Sequence, residues 1–305
     1  MITLPYVTTA SFKAYPTFLD VMNLRPGDAS AADQDQELFN ILLAASAWAD
    51  NYTEMGVGGG TAGDGTLAAH TRVERGRIRV ARSGQISYHA QHNPVSSLTA
   101  LSIGASPDTL TAVADLSSFW IEDARQIVGF PSGASAPGLA ALQFGPPATT
   151  SELFASWTYV AGYANTLLAA DAAAGASAIT VADPTGLTGL NGGTVLRIWD
   201  PGHEEAVTVA PSYVTGSTTV PLTAPLKNAH SGTATAAIGV SALPTDAHLA
   251  VILYAAALLQ RPDTEKEDTF PSTLVRPNAR VGGTTDGTGF VAEAERLLEP
   301  YRRVR

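Results

Sequence analysis

Residues 33–52 read DQDQELFNILLAASAWADNY. Leu38, Ile41, Leu42, Ala45, Trp48, Ala49 and Tyr52 recur at intervals of three and four. That spacing predicts an amphipathic helix with these residues on one stripe and Gln36, Asn40 and Asp50 opposite. Asp33 is the expected N-cap, with Gln36 completing a capping box, and the glycines from Gly56 onward end the helix. Most of the surrounding chain, up to about residue 240, reads as strand and turn. A mostly β chain with one early helix must bury its sheet against something, and this stripe is the candidate. The expected class is therefore α+β, with helices packed on an antiparallel β-sheet core.

The chain has 305 residues, 45% hydrophobic and 15% charged, enough for a real core in one or two domains. It has no cysteine, which excludes disulfide staples, thiolate metal sites and cysteine nucleophiles. The formal net charge is −10, a field that repels DNA and anionic membranes and disfavours general nucleic-acid binding. The opening MITLPYVTTASF lacks the basic end and apolar run of a signal peptide, and no apolar run reaches a membrane span. A cytoplasmic origin is expected, with no membrane partner.

Residues 1–32 read as extended and then loop-like, with a short helical turn at Thr17–Met22. Strands are expected at Arg77–Ala81 (extending back to Arg75), Gln85–His89, Val95–Ile103, Leu110–Val113, Ser118–Glu122, Gln126–Phe130, Leu139–Phe144 and Leu153–Tyr163. Ser83–Gly84 and Asp123–Ala124–Arg125 are the hairpin turns between them. In Leu153–Tyr163, Phe154, Ser156, Thr158 and Val160 share a face, whereas Leu153, Trp157 and Tyr159 show no single period. Composition shifts near Leu167. From there to Ile238 four further strands are expected, at Ala178–Val181, Thr194–Trp199, Glu205–Val209 and Thr218–Leu222, as a small barrel or sandwich-like β module. A helix apolar nearly all round follows at Ala247–Leu259, buried in the core or shared between subunits. A last helix within 290–301 carries Val291, Ala294, Leu297, Leu298 and Tyr301 as its stripe. Gly56–Gly65 and Asp263–Gly289 read as glycine-rich loops. The expected division is a discontinuous core of residues 1–166 and 239–305, with 167–238 inserted.

Chemical motifs are sparse. Gly58, Gly60 and Gly63 fit G-x-G-x-x-G but follow a helix, the reverse of a dinucleotide fingerprint. His89 and His92 would point to opposite faces of a strand, and no third metal ligand is evident. Asp200, His203, Glu204 and Glu205 read first as a hairpin turn around Asp200–Pro201–Gly202. No catalytic residue, metal or cofactor is expected. The feature that stands out is basic: Arg72, Arg75, Arg77, Arg79 and Arg82 fall within eleven positions of an acidic chain. On a strand, Arg75, Arg77 and Arg79 share one face, with Ile78 and Val80 on the other. Such a row is either a solvated face or a docking surface for an acidic partner or a neighbouring copy. The terminal Arg302, Arg303 and Arg305 are candidates for the same role.

Several stretches in succession carry a resemblance. The helix ending AASAWADNYT precedes the arginine-bearing strand, then NPVSSLTALSI, FWIEDARQIVGF, SWTYVAGY and the late LPTDAHLAVILYAAALL. This order resembles the head–tail connector (adaptor, or head-completion) proteins of tailed bacteriophages, over roughly residues 34–163 and 243–259. ASAITVADPTGL and PLKNAHSGTA resemble small β modules of phage structural proteins, and that insert departs from the shortest members of the family. The resemblance implies a non-enzymatic virion protein at the head–tail interface, assembled in the host cytoplasm. It implies a homo-oligomeric ring, typically a dodecamer, beneath the portal protein and above a tail-side completion or terminator protein. DNA would pass through its channel without specific binding, and residues 290–305 would be the portal contact. The alternatives are another tail or baseplate protein, or a glycan-binding or glycan-cleaving β protein using Trp157, Trp199 and nearby acids.

Overall fold

The computed structural model describes residues 3–17, 19, 21, 22, 24, 30–53, 66–81, 84–130, 151–232, 237–260 and 288–302. The strand expected at Leu139–Phe144, the loop Gly56–Gly65 with its G-x-G-x-x-G, and residues 263–287 lie outside them. The class is α+β, built from helices and antiparallel sheets.

Helix α1 is Thr9–Ala14, capped by the Thr8 side chain; the helical turn expected at Thr17–Met22 is not formed in the described residues there. Helix α2 is Ala31–Tyr52. Its N-cap is Ser30, three residues earlier than expected, and Asp33 completes the capping box from the N3 position. Gln36 instead donates to Asn40 at 3.2 Å. Leu38, Leu42, Ala45 and Ala49 form the buried stripe as expected, but Asp50, read on the polar side, is buried too because Tyr6 packs over it. Helix α3 is Thr245–Gln260, and α4 is Thr288–Leu298, running into a 3-10 turn at Glu299–Tyr301.

The stripe of α2 meets α3 rather than the face of a sheet. Leu38, Leu42 and Ala45 cluster with Ala250, Val251, Leu253, Ala294, Leu298 and Phe12, and Trp48 stacks on Tyr254 with ring centroids 3.9 Å apart. The nearly all-apolar α3 is thus covered within the monomer, by α2 and α4. The bundle touches the sheet region at Leu67, Ala68 and Tyr163.

Strands β1 (His70–Val80), β2 (Ile86–His89), β3 (Val95–Gly104), β4 (Thr111–Ala112), β5 (Phe119–Glu122), β6 (Gln126–Gly129) and β7 (Ser151–Ala161) form one antiparallel sheet in the order β4-β3-β7-β1-β2-β6-β5. In β7, Leu153, Ala155, Trp157, Tyr159 and Ala161 alternate onto the buried face, so Leu153, Trp157 and Tyr159 do share one strand period. Trp157 stacks on Tyr88 at 5.0 Å within this second core.

A third apolar cluster lies between Ala164 and Val240. Strands β8 (Asn165–Leu167), β10 (Val195–Trp199), β11 (Glu205–Thr208) and β13 (Gly239–Ser241) form a sheet in the order β11-β10-β13-β8, and β9 (Ala178–Thr180) pairs with β12 (Thr219–Pro221). Four of these six strands were expected. The short β8 and β13 close the sheet from either side of residues 168–238, pairing Val240 with Thr166.

Candidate docking surface

Strand β1 alternates strictly. Ile78 and Val80 are buried, and Arg75, Arg77 and Arg79 point to the open side. The strand runs back to His70, which places Arg72 and Glu74 on the buried side. Across β7, Arg79 faces Glu152, Arg77 faces Phe154 and Arg75 faces Ser156. Glu152 is shared: Arg77 Nη1 lies 3.4 Å and Arg79 Nε 3.7 Å from its carboxylate. The Arg77 guanidinium also sits 5.6 Å over the Phe154 ring. The side chains of Arg77 and Arg79 remain 70% and 78% exposed, so these pairs are screened and contribute little to stability. Arg82 lies outside the described residues.

The terminal cluster is separate. Arg302 is held within the monomer, 3.8 Å from Glu299 and 5.7 Å over the Tyr52 ring, while Tyr52 donates to Glu299 at 3.0 Å. Arg303 and Arg305 lie outside the described residues. The partners of Arg302 differ from Glu152 and Phe154, which hold Arg77 and Arg79.

Four buried polar clusters lie elsewhere in the fold; three are held by hydrogen bonds to structural partners, and the fourth stacks with buried nitrogens of Arg197, Trp199 and His248 unbonded. Glu74 accepts from Tyr88 Oη, Tyr159 Oη and Gln91 N, and lies 2.8 Å from His92 Nδ1. Burial alone would raise its carboxyl, but the hydrogen bonds from His92 and the two tyrosines outweigh it and hold Glu74 down at about 2. His92 thus serves a buried acid, while His89 lies on an exposed position of β2.

Asp50 accepts from Tyr6 Oη at 2.6 Å and from Leu67 N at 2.8 Å, and Ala68 N donates to Tyr6 Oη at 3.1 Å. Burial raises Asp50 to about 7 against those hydrogen bonds and the charges of the amino terminus and Arg72. Burial, reinforced by Asp50, also raises Tyr6. The turn at Asp200–Pro201–Gly202 brings Asp200 and Glu205 to His230, each carboxylate 2.8 Å from one ring nitrogen. Glu205 also accepts from Lys227 N and Asn228 N; these bonds, with that of His230, overcome burial and lower it. His230 was not singled out in the sequence because its partners lie 30 and 25 residues upstream.

The fourth cluster is a stack, with Arg197 4.6 Å over Trp199 and Trp199 3.7 Å from His248. Burial and the Arg197 charge push His248 down to about 3, so it is neutral. Trp157 is 0% and Trp199 7% exposed, so neither offers a face to a sugar, which removes the basis of the glycan reading.

An open cleft of about 870 Å³ lies between the β5–β6 hairpin and residues 186–195, lined by Trp120, Glu122, Asp123, Tyr163, Leu190 and Val195 among others. Asn191 Nδ2 bridges it to Ile121 O at 3.0 Å. Among the described residues no group of three or more His, Asp or Glu is placed to hold a metal ion, and no helix is long and apolar enough to cross a membrane.

No protein-family model matches the chain, and no curated protein sequence matches it. Among solved structures, a chain described as "Neck of empty GTA particle computed with C6 symmetry" is similar at 17% identity. The match covers 100% of this chain and 97% of that one, with a TM-score of 0.32. A likeness of that degree decides neither fold nor function.

Proposed function

We propose that this chain is a structural virion protein that forms a ring between the portal and the tail of a tailed phage, extending the DNA channel and offering the surface to which the tail attaches. The observation that carries this reading is the succession of parts: the acid-capped helix, the arginine-bearing strand, the FWIEDARQIVGF hairpin, SWTYVAGY and the late apolar helix. The internally satisfied Glu74, Asp50 and His230 clusters also favour it, because they hold the fold together rather than meet a substrate. In this reading residues 1–166 and 239–305 are the adaptor core. Residues 167–238 are an insert on the outer or lower surface, and they supply most of the third apolar cluster. Residues 290–305, with Arg302, Arg303 and Arg305, face the portal protein, and a tail-side completion protein meets the opposite rim.

The test is assembly without the chain. Particles produced in its absence should contain packaged DNA but lack tails, and adding the purified protein should restore tail attachment. Normally tailed particles in its absence would refute the proposal.

A further inference from the structure

We propose that the open face of β1, β7 and β3 holds the sugar–phosphate backbone of a nucleic acid through Arg75, Arg77 and Arg79, without reading base sequence. Alternate residues of a strand stand about 6.6 Å apart, so the row presents guanidiniums at a regular repeat, as a phosphodiester backbone presents its charges. Glu152 is the one carboxylate on that face of the three strands, so three guanidiniums stand against one carboxylate and two positive charges remain. Arg75 has no ion pair among the described residues.

The neighbours of the row decide between a nucleic acid and an acidic protein. Ser156 and Thr158 on β7, and Ser102 beside Ser156 on β3, border the arginines with hydroxyls of the kind that bond phosphate oxygens. A protein partner needs an apolar centre to bury. Here Val73, 60% exposed, and the half-buried Phe154 are the large apolar side chains on this part of the face. The Phe154 ring is itself covered by the Arg77 guanidinium, which leaves a protein partner little apolar surface to bury. The net charge of −10 opposes association at long range, so the contact is weak and local. The proposal stands independently of the ring reading, and its failure would leave that reading untouched.

Fluorescence anisotropy of a short labelled DNA duplex with the full chain tests it. For three phosphate contacts the log–log salt slope should be about −2.7, so affinity should fall roughly 40-fold between about 50 and 200 mM salt. The variant R75S/R77S/R79S, at exposed positions, should keep its circular dichroism and thermal midpoint while losing at least about tenfold in affinity and most of the salt slope. E152Q, which removes the competing carboxylate, should tighten binding. No binding at low salt, unchanged binding by the triple variant, or weaker binding by E152Q would overturn the proposal. Tighter binding of polyglutamate than of DNA would overturn it in favour of an acidic protein partner.

Discussion

Replacing Asp50 by asparagine should make the protein less sensitive to rising pH. Asp50 is 3% exposed at the end of α2, where its Oδ1 accepts from Tyr6 and from the backbone of Leu67. One carboxyl therefore joins the N-terminal segment, the helix and the entry to the sheet. Tyr6, the amino terminus and Arg72 are the titratable or charged groups acting on it. Its carboxyl sits at about 7 in the folded protein against 3.8 as a free side chain. Between these values the folded state keeps a proton that the unfolded state releases. The contribution is therefore complete below about pH 4 and declines as pH rises through 7. At about 1.4 kcal/mol per unit, the loss is on the order of 4 kcal/mol.

Asparagine keeps an oxygen for both donors and has no proton to lose. Urea denaturation of both proteins from about pH 4 to 8 isolates this one group, because other titrations cancel in the difference. The stability of D50N relative to wild type should rise by on the order of 4 kcal/mol across that range. A difference that stays flat, or that falls with pH, would show that Asp50 is held as a carboxylate and would refute the reasoning.

Glu74 has the opposite sign. Held at about 2 against 4.5 for a free carboxyl, it contributes stability above pH 4.5 that is lost as pH falls towards 2. E74Q should cost about 2–3 kcal/mol at neutral pH and flatten the acid limb of a pH–stability curve. Gly193 has φ of +79°, and a Cβ there would lie 2.1 Å from Val209 O. G193A should therefore destabilise the 164–240 region by at least about 2 kcal/mol, read as earlier loss of hydrogen-exchange protection there. Leu42→Ala, at a fully buried position facing α3, should cost about 3 kcal/mol by urea denaturation.

The elements that declared themselves in the sequence are those whose period survives burial on one side. Helix α2 and the second half of strand β1 were legible from spacing alone, and Arg75, Arg77 and Arg79 lie on the open face that alternation gave them. Helix α1 was not, because six residues burying only Ser11 and Phe12 carry no period. The same holds for β8 and β13, three residues each, whose partners lie far along the chain. The placement of β1 between β2 and β7 depends on pairing with a strand some eighty residues away, which no local pattern encodes. Asp50 was assigned to the polar face because helical spacing cannot know that Tyr6 returns to cover it. The Asp200–His230–Glu205 bridge was hidden for the same reason: its three members lie up to 30 residues apart and meet only in the folded chain.

The most direct test of the assembly reading is the mass of the particle formed when this protein is mixed with the intact portal ring of its own phage. Each bound copy adds 31.5 kDa. A discrete product that gains about one copy per portal subunit is the predicted result, as a closed symmetric ring requires. A portal ring that stays intact and gains no mass would contradict the account.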